Sequence, residues 1–482
     1  MAVALVAVLA LARAVSAPTA APRSAPVALL TVDARGQGGT ALSPALFGVG
    51  VDLASGSYVR PGDAHCVALA NVQAGSGVAL VRIGARAADD YDWPADTYYN
   101  LQNPRLPIKA SPGCPAPGPA ASVLRVLDRV RALHARAVVV LNGETDDPRA
   151  AYGLVTLIAR RFGDAFARAI YWEIGNEPAE WQHFGVPLTA RRGDEHILCT
   201  PDQYAAVVTS YAAAITAALG ASSPGTPSDK AWPRVVADAW IANATDQSWA
   251  GLVTAVDARY YPYMTTEPAS QDAIAAGVVS PTAGAVSLDD QLSSLRDSVA
   301  QYDQSGSVRL FIGQWNVDAN ADPSAGADFY ASYGQAVFVA DLMLHLARHG
   351  GAMAAWAPPF YGAPQAPFAS GQPSPGYAVL TALATLAGSR LLATPTVPPG
   401  LDALAARRPD GGLSLVLVRT SDQGPADTPL RIVGGPARPV HAMIQTFSAT
   451  DNGVTRALIL DPANARVVVP TPGVVIVTLP AR

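Results

Sequence analysis

Ala169 to Pro178 reads AIYWEIGNEP. Its apolar and aromatic residues make a short strand, and the run stops at a proline directly after an Asn-Glu pair, so polar side chains stand at the strand's C-terminal end. Seven more runs share this texture: LFGVGVDLA from Leu46, GVALVRIGA from Gly77, RAVVVLNGE from Arg136, RVVADAW from Arg234, VDARYYPY from Val256, VRLFIGQWN from Val308 and AMAAWAPPF from Ala352. Longer Ala-rich helical stretches separate them, the pattern of a parallel sheet wrapped by helices. Eight such units predict an α/β fold, a (β/α)8 TIM barrel over residues 42–376. The active site of such a barrel lies at the C-terminal ends of the strands.

Beyond Leu380 the texture changes. LSLVLVRT, RPVHAMIQTFS, TRALILDP, ARVVVPT and GVVIVTLPA are short strands separated by Gly, Pro and Asp turns, which predicts a C-terminal antiparallel β-sandwich over 377–482. VALLTVDARG, residues 27–36, is also strand-like and is expected to cross over from a leader spanning 18–41 and join that sandwich. Residues 1–17 read as an export signal: an apolar run from Ala2 to Leu11, then Val15-Ser16-Ala17 before Pro18, though without the usual basic residues ahead of the run. A secreted or periplasmic protein is therefore expected. The run is too short to span a bilayer, and no later stretch reads as a membrane span.

Of 482 residues, 50% are hydrophobic and 15% charged, enough for a large core with little room for disorder. The net charge of -5, with Lys and Arg scattered, supplies no basic stripe for nucleic acid and no polybasic membrane patch. Cys66, Cys114 and Cys199 lack zinc-ligand spacing; one pair can oxidise after export, and Cys66 with Cys114 is the pair we expect. The seven His residues are dispersed, and no serine elbow or phosphate loop follows a strand, so no metal or cofactor is expected. The acidic cluster Asp89, Asp90 and Asp92 reads as a solvated loop. The oligomeric state is open.

The string Trp172-Glu173-Ile174-Gly175-Asn176-Glu177-Pro178 resembles the acid/base motif of the retaining glycosidase clan with the (β/α)8 fold. The likeness is closest to glycoside hydrolase family 39, with families 51 and 79 as cousins, and it extends over the lead-in strand, the barrel and the sandwich. It implies a glycoside hydrolase acting on O-glycosidic bonds of a carbohydrate, whether glycoside, oligosaccharide or polysaccharide. Glu177 would protonate the leaving oxygen, and Asn176 would hydrogen-bond the sugar 2-hydroxyl. Glu173, four residues earlier, is read as structural. Arg82 falls where the family places an arginine that holds the nucleophile. Tyr261 and Tyr263 fall where relatives carry a tyrosine that hydrogen-bonds it. Trp315 and Trp356, with Trp93 and Trp181 beside them, are expected to offer flat apolar surface to a pyranose.

Retaining chemistry needs a second carboxylate, which the family places on the seventh strand in a string like T-E-W-N. The matching string is Phe311-Ile312-Gly313-Gln314-Trp315-Asn316, and the nucleophile position holds the amide of Gln314. The amide also removes the like charge that, in a carboxylate pair, keeps the acid protonated. Four readings of Gln314 stand: a sugar-binding pocket without turnover, a nucleophile-to-amide variant, a substitute carboxylate (Asp318, Glu144 or Asp146), or an amide that orients a substrate 2-acetamido group which itself attacks. The rival to an enzyme is a glycan-binding protein derived from one.

Overall fold

The computed structural model describes residues 29–481 apart from 37–38, 53–77, 85–87, 90, 95–96, 101–102, 108–122, 192–195, 221–232, 264–270, 280, 282–285, 304–305, 318–331, 351–352, 357–367, 370–371, 422–426, 437 and 462–464. The export signal, Cys66, Cys114 and Asp318 lie outside the described residues.

Eight parallel strands close into a barrel in sequence order: Gly48–Asp52, Leu80–Gly84, Arg136–Leu141, Tyr171–Ile174, Arg234–Asp238, Ala255–Tyr260, Arg309–Trp315 and Met353–Trp356. The eighth pairs with the first through Ala355 and Gly48. Leu80, Val138, Tyr171, Val236, Ala255, Phe311 and Met353 meet in one small apolar cluster inside the barrel. Their neighbours Val81, Val139, Trp172, Val235, Val256, Ile312 and Ala354 belong to the larger cluster under the helices. Both faces of each strand are thus buried, which is why the runs read as almost continuously apolar.

Helix starts follow local signals. Asp147 caps Pro148–Phe162, and Thr200 with Gln203 forms a capping box at the start of Pro201–Ala218; proline occupies the first turn of both. Between the fifth and sixth strands only the 3-10 turns Ala239–Asn243 and Ser248–Gly251 intervene. Pro375–Ala384, started by Ser374, runs through the expected division at 376/377. Its face of Tyr377, Val379, Leu380 and Leu383 belongs to the barrel's apolar cluster. The helical layer therefore ends near residue 384, and the first strand beyond it is Arg390–Leu391.

The C-terminal sandwich has a six-stranded antiparallel sheet, in the order Arg390–Leu391, Leu401–Arg407, Leu413–Arg419, Gly473–Leu479, Val440–Phe447 and Asn452–Leu460. Facing it, the lead-in strand Leu30–Asp33 pairs in parallel with Asp427–Val433, which pairs with Arg466–Val468. Strand alternation decides how the large sheet is used: Leu415 and Leu417 enter the sandwich core, while Val416 and Val418 join the barrel's cluster. The helix Tyr333–Arg348 is wedged at this seam, and every residue from Gly334 to Ala347 is buried. No described helix is long and apolar enough to cross a membrane.

Leu30 is fully buried in the sandwich core. Leu30→Ala is expected to cost about 2–5 kcal/mol by denaturant unfolding; an unchanged midpoint would mean that the lead-in strand does not hold the sandwich together.

Candidate active site

The mouth of the barrel is shaped first by glycine. Gly175 has φ +70°, and a Cβ there would lie 2.2 Å from the Trp181 indole; a Cβ on Gly143 would meet the same ring at 2.7 Å. Trp181 can therefore lie flat across the ends of the third and fourth strands. Asp89, buried, ties this corner together by accepting from the backbone N–H of Gly143 (3.0 Å) and Asn176 (2.9 Å) and from the Trp181 indole N–H (3.1 Å). Burial and the nearby charge of Glu144 push its carboxyl up to about 8, against the pull of those donors. Glu177 follows in the left-handed region at φ +49°, a backbone conformation that costs a non-glycine residue energy and persists where its surroundings over-determine it.

Asn176 is the hub of the site. Its Oδ1 accepts from Arg82 (3.0 Å), Arg259 (3.2 Å) and the Gln314 side-chain amide (2.9 Å), while its Nδ2 donates to Glu177 Oε2 (2.9 Å). One side-chain amide thus separates the Glu177 carboxylate from the Gln314 amide. The other end of Gln314 accepts a long hydrogen bond from the Tyr261 hydroxyl, at 3.4 Å. Gln314 faces inward because Gly313 forms a bulge: Ala258 pairs with Ile312, but Arg259 pairs with Gln314. Gly313 donates its N–H to Asp257 Oδ1 at 2.6 Å, and a Cβ there would lie 2.4 Å from both Asp257 oxygens, so only glycine fits.

Below the hub lies a buried charge network. Arg82 holds Glu173 through two hydrogen bonds of 2.7 and 2.5 Å, and Arg259 donates to Asp257 at 2.5 Å. Arg259 also lies 3.6 Å from Asp238 and 3.9 Å from Glu177. Burial acts to raise Glu173, but Arg82 and Arg259 outweigh it and hold the carboxyl below its usual value. Asp257 goes the other way: burial, helped by the Glu173 charge, pushes it well above the carboxylate range despite both arginines. The two neighbouring carboxyls are thus pushed in opposite directions. Burial also raises Asp238, with the charges of Glu177 and Glu173 adding to it and Arg259 opposing. Burial raises Tyr261, reinforced by the Glu177 charge, so its phenol remains a neutral donor.

Glu177, Asn176, Gln314, Arg82 and Tyr261 are thus brought together. Two other expected residues are not. Trp315 and Trp356 stack on each other at 5.1 Å and are fully buried on the outer side of the barrel, beside Phe338 and under Gly376. Alternation is the reason: Met353 and Ala355 face the interior, so Trp356 points to the helices, and the bulge at Gly313 gives Trp315 the same direction. Arg82 grips Glu173 and Asn176 and makes no hydrogen bond to Gln314. Tyr263 turns away to the carbonyl of Ala273. Trp181 is a buried wedge, and Trp93 lines a separate cavity of about 360 Å³ with Asn142, Thr145 and Leu188. Asp89 is buried, where a solvated loop was expected.

Of the substitute carboxylates, Glu144 is committed to the N–H groups of Gln182 and His183 and to Arg191 at 3.0 Å. Asp257, Arg259 and Asp238 went unread in the sequence. Two charged residues at i and i+2 in a barrel strand, Val256-Asp257-Ala258-Arg259, must share one face, and that was the available signal.

Solved structures match this chain over almost its whole length. An α-L-arabinofuranosidase from Thermotoga maritima in an arabinose complex is 14% identical, with a TM-score of 0.67 over 94% of this chain and 100% of that one. The family 51 arabinofuranosidase from Xanthomonas axonopodis pv. citri is 15% identical, with a TM-score of 0.66 over 94% and 99%. This chain has their fold. A family 44 xyloglucanase from Paenibacillus polymyxa shares it too, at 13% identity and a TM-score of 0.64 over 95% and 100%. Family 51 is a cousin to which the Asn-Glu-Pro motif pointed; family 44 was not anticipated. No protein-family model matches the sequence, and neither does any curated protein.

Because Asp89 accepts three N–H groups around this corner of the barrel, Asp89→Asn puts an NH2 where an acceptor is needed. The expected loss is about 1–3 kcal/mol of stability by denaturant unfolding; a loss well below that would mean the corner is held by Trp181 packing alone.

Proposed function

We propose that this protein is a secreted glycoside hydrolase acting on O-glycosidic bonds, with Glu177 as acid/base and Gln314 at the nucleophile position. One observation carries the reading: Glu177 and Gln314 are joined through the single amide of Asn176 at the C-terminal end of the barrel strands. Glu177 is the more exposed of the two, with about a third of its side chain accessible (31%), while Gln314 is buried. Glu177 is therefore the group able to meet a leaving glycosidic oxygen. The arabinofuranosidase and xyloglucanase named above share the fold and support a carbohydrate substrate, though a fold hosts many activities.

Gln314 does not attack, because an amide forms no glycosyl ester of the carboxylate kind. Its N–H is spent on Asn176, a bond that a carboxylate cannot make. This favours a second reading, a glycan-binding protein that keeps the cleft without turnover. Incubation with aryl glycosides, half of them bearing a 2-acetamido group, separates the two, with sugar-binding calorimetry run in parallel. Cleavage confined to the 2-acetamido substrates identifies the substrate group as the attacking one. Cleavage of the others requires another carboxylate, and Asp238, which shares Arg259 with Glu177, is then replaced first. Binding with no cleavage supports the second reading.

Gln314→Glu is expected to create or greatly increase hydrolysis with retention of configuration, seen in kcat more than in KM. In that background Glu177→Gln should lower the rate by roughly 10²- to 10⁴-fold. If neither the unaltered protein nor Gln314→Glu cleaves any glycoside while sugars still bind, the enzyme reading is wrong.

A further inference from the structure

A second cluster of chemically able side chains lies away from the barrel mouth, at the seam between the helical layer and the C-terminal sheet. Asp341 and His345 stand one turn apart on the helix Tyr333–Arg348, and Asp402 comes from the strand Leu401–Arg407. One ligand atom from each lies within 4.8 Å of the other two. We propose that Asp341, His345 and Asp402 bind one divalent cation of the zinc class and so clamp the sandwich to the barrel.

Three observations support this. First, Asp341 is 1% exposed, and neither carboxylate oxygen has a hydrogen-bond partner. Burying such a group uncompensated is costly, and native proteins avoid it unless an ion or water completes the site. Second, the spacing suits a metal. His345 Nε2 lies 3.8 Å from Asp341 Oδ1 and 3.4 Å from Asp402 Oδ2. Both are too long for a hydrogen bond of ordinary strength, yet close to the edge of about 3.4 Å for a tetrahedron with zinc–ligand bonds of about 2.0–2.1 Å. Third, Asp289 Oδ1 lies 2.6 Å from the other ring nitrogen, Nδ1. A carboxylate behind a ligating histidine fixes the tautomer that turns Nε2 towards a metal.

Charge agrees with geometry. Asp289, Asp341 and Asp402 carry three negative charges when ionised, and burial pushes the Asp341 carboxyl up to about 7; Arg348, bonded to Asp402 at 2.8 Å, supplies one positive charge. A divalent cation with a neutral His345 supplies the other two. The competing occupant is a proton: burial acts to lower the His345 imidazole, but Asp402, Asp341 and Asp289 outweigh it and raise it to about 9. A proton on Nε2 points in one direction and leaves Asp341 unsatisfied, whereas a cation meets all three ligands. Its binding expels the Nε2 proton to solvent.

The test uses the full chain, stripped by chelator and titrated with zinc chloride by calorimetry at neutral pH. One zinc per chain is expected, with a rise in Tm that EDTA reverses, and affinity at least tenfold weaker in Asp341→Asn and in His345→Gln. Calcium and magnesium, which prefer six or more oxygen ligands, should leave Tm unchanged. The cobalt(II) spectrum of the unaltered chain should show tetrahedral nitrogen and oxygen ligation without thiolate bands, which keeps the test decisive if a variant fails to fold. Absence of binding, undiminished binding in either folded variant, or a thiolate spectrum would overturn the site. None of these outcomes depends on whether the protein cleaves glycosides.

Discussion

The mouth of this barrel depends on two arginines, one buried and one largely so. Arg82 and Arg259 both donate to Asn176 Oδ1, and between them they face Glu173, Asp257, Asp238 and Glu177. Charges taken out of water are tolerable only when paired and hydrogen-bonded, and removing one partner of a buried pair typically costs about 3–5 kcal/mol. Burial pushes the Asp257 carboxyl well above its usual range, which lessens the excess of acid around the two arginines. Asn176 is oriented as a result: its oxygen is claimed from below, and its NH2 can only turn towards Glu177.

The same network decides how Gln314 is held. A bulge at Gly313 admits two residues where the neighbouring strand has one, and the close approach of Asp257 requires that the extra residue have no side chain. Gln314 then meets Asn176 as a donor. A glutamate would be almost the same size, but it would bring an acceptor against an oxygen that already serves two arginines. The amide is thus built into its surroundings, and the charge pattern beneath it is consistent with a neutral side chain at this position.

The seam between barrel and sandwich follows a related economy. The helix Tyr333–Arg348 is buried on all sides because it packs on the barrel and also under the large sheet, whose Val416 and Val418 face it. A helix with no solvent face must satisfy its polar residues internally. Arg348 and His345 do so by reaching Asp402 and Asp289, and Asp341 is left with two bare oxygens. Apolar packing and a small ionic cluster therefore meet where this helix joins the two layers.

Much of this was legible in the sequence. The eight barrel strands, the lead-in strand and five strands of the sandwich follow from short β-rich runs and their turn residues, because local propensity and burial leave that signature; Arg390–Leu391, Leu401–Arg407 and Asp427–Val433, with charged or proline residues among their apolar ones, did not show it. The Asn-Glu-Pro stop put Asn176 and Glu177 at the barrel mouth, since polar residues at the C-terminal end of a barrel strand have few other places to point. What the sequence could not decide was direction. Trp315 and Trp356 sit at strand ends like Glu177, but whether a side chain faces the cleft or the helices depends on strand phase, and a single bulge reverses it. Nor could spacing show that Arg82 would grip Glu173, or that Arg259, 83 residues beyond Asn176, would share its oxygen. Those partners are set by closure of the barrel, which brings distant strands to hydrogen-bonding distance and forces buried charges to find one another.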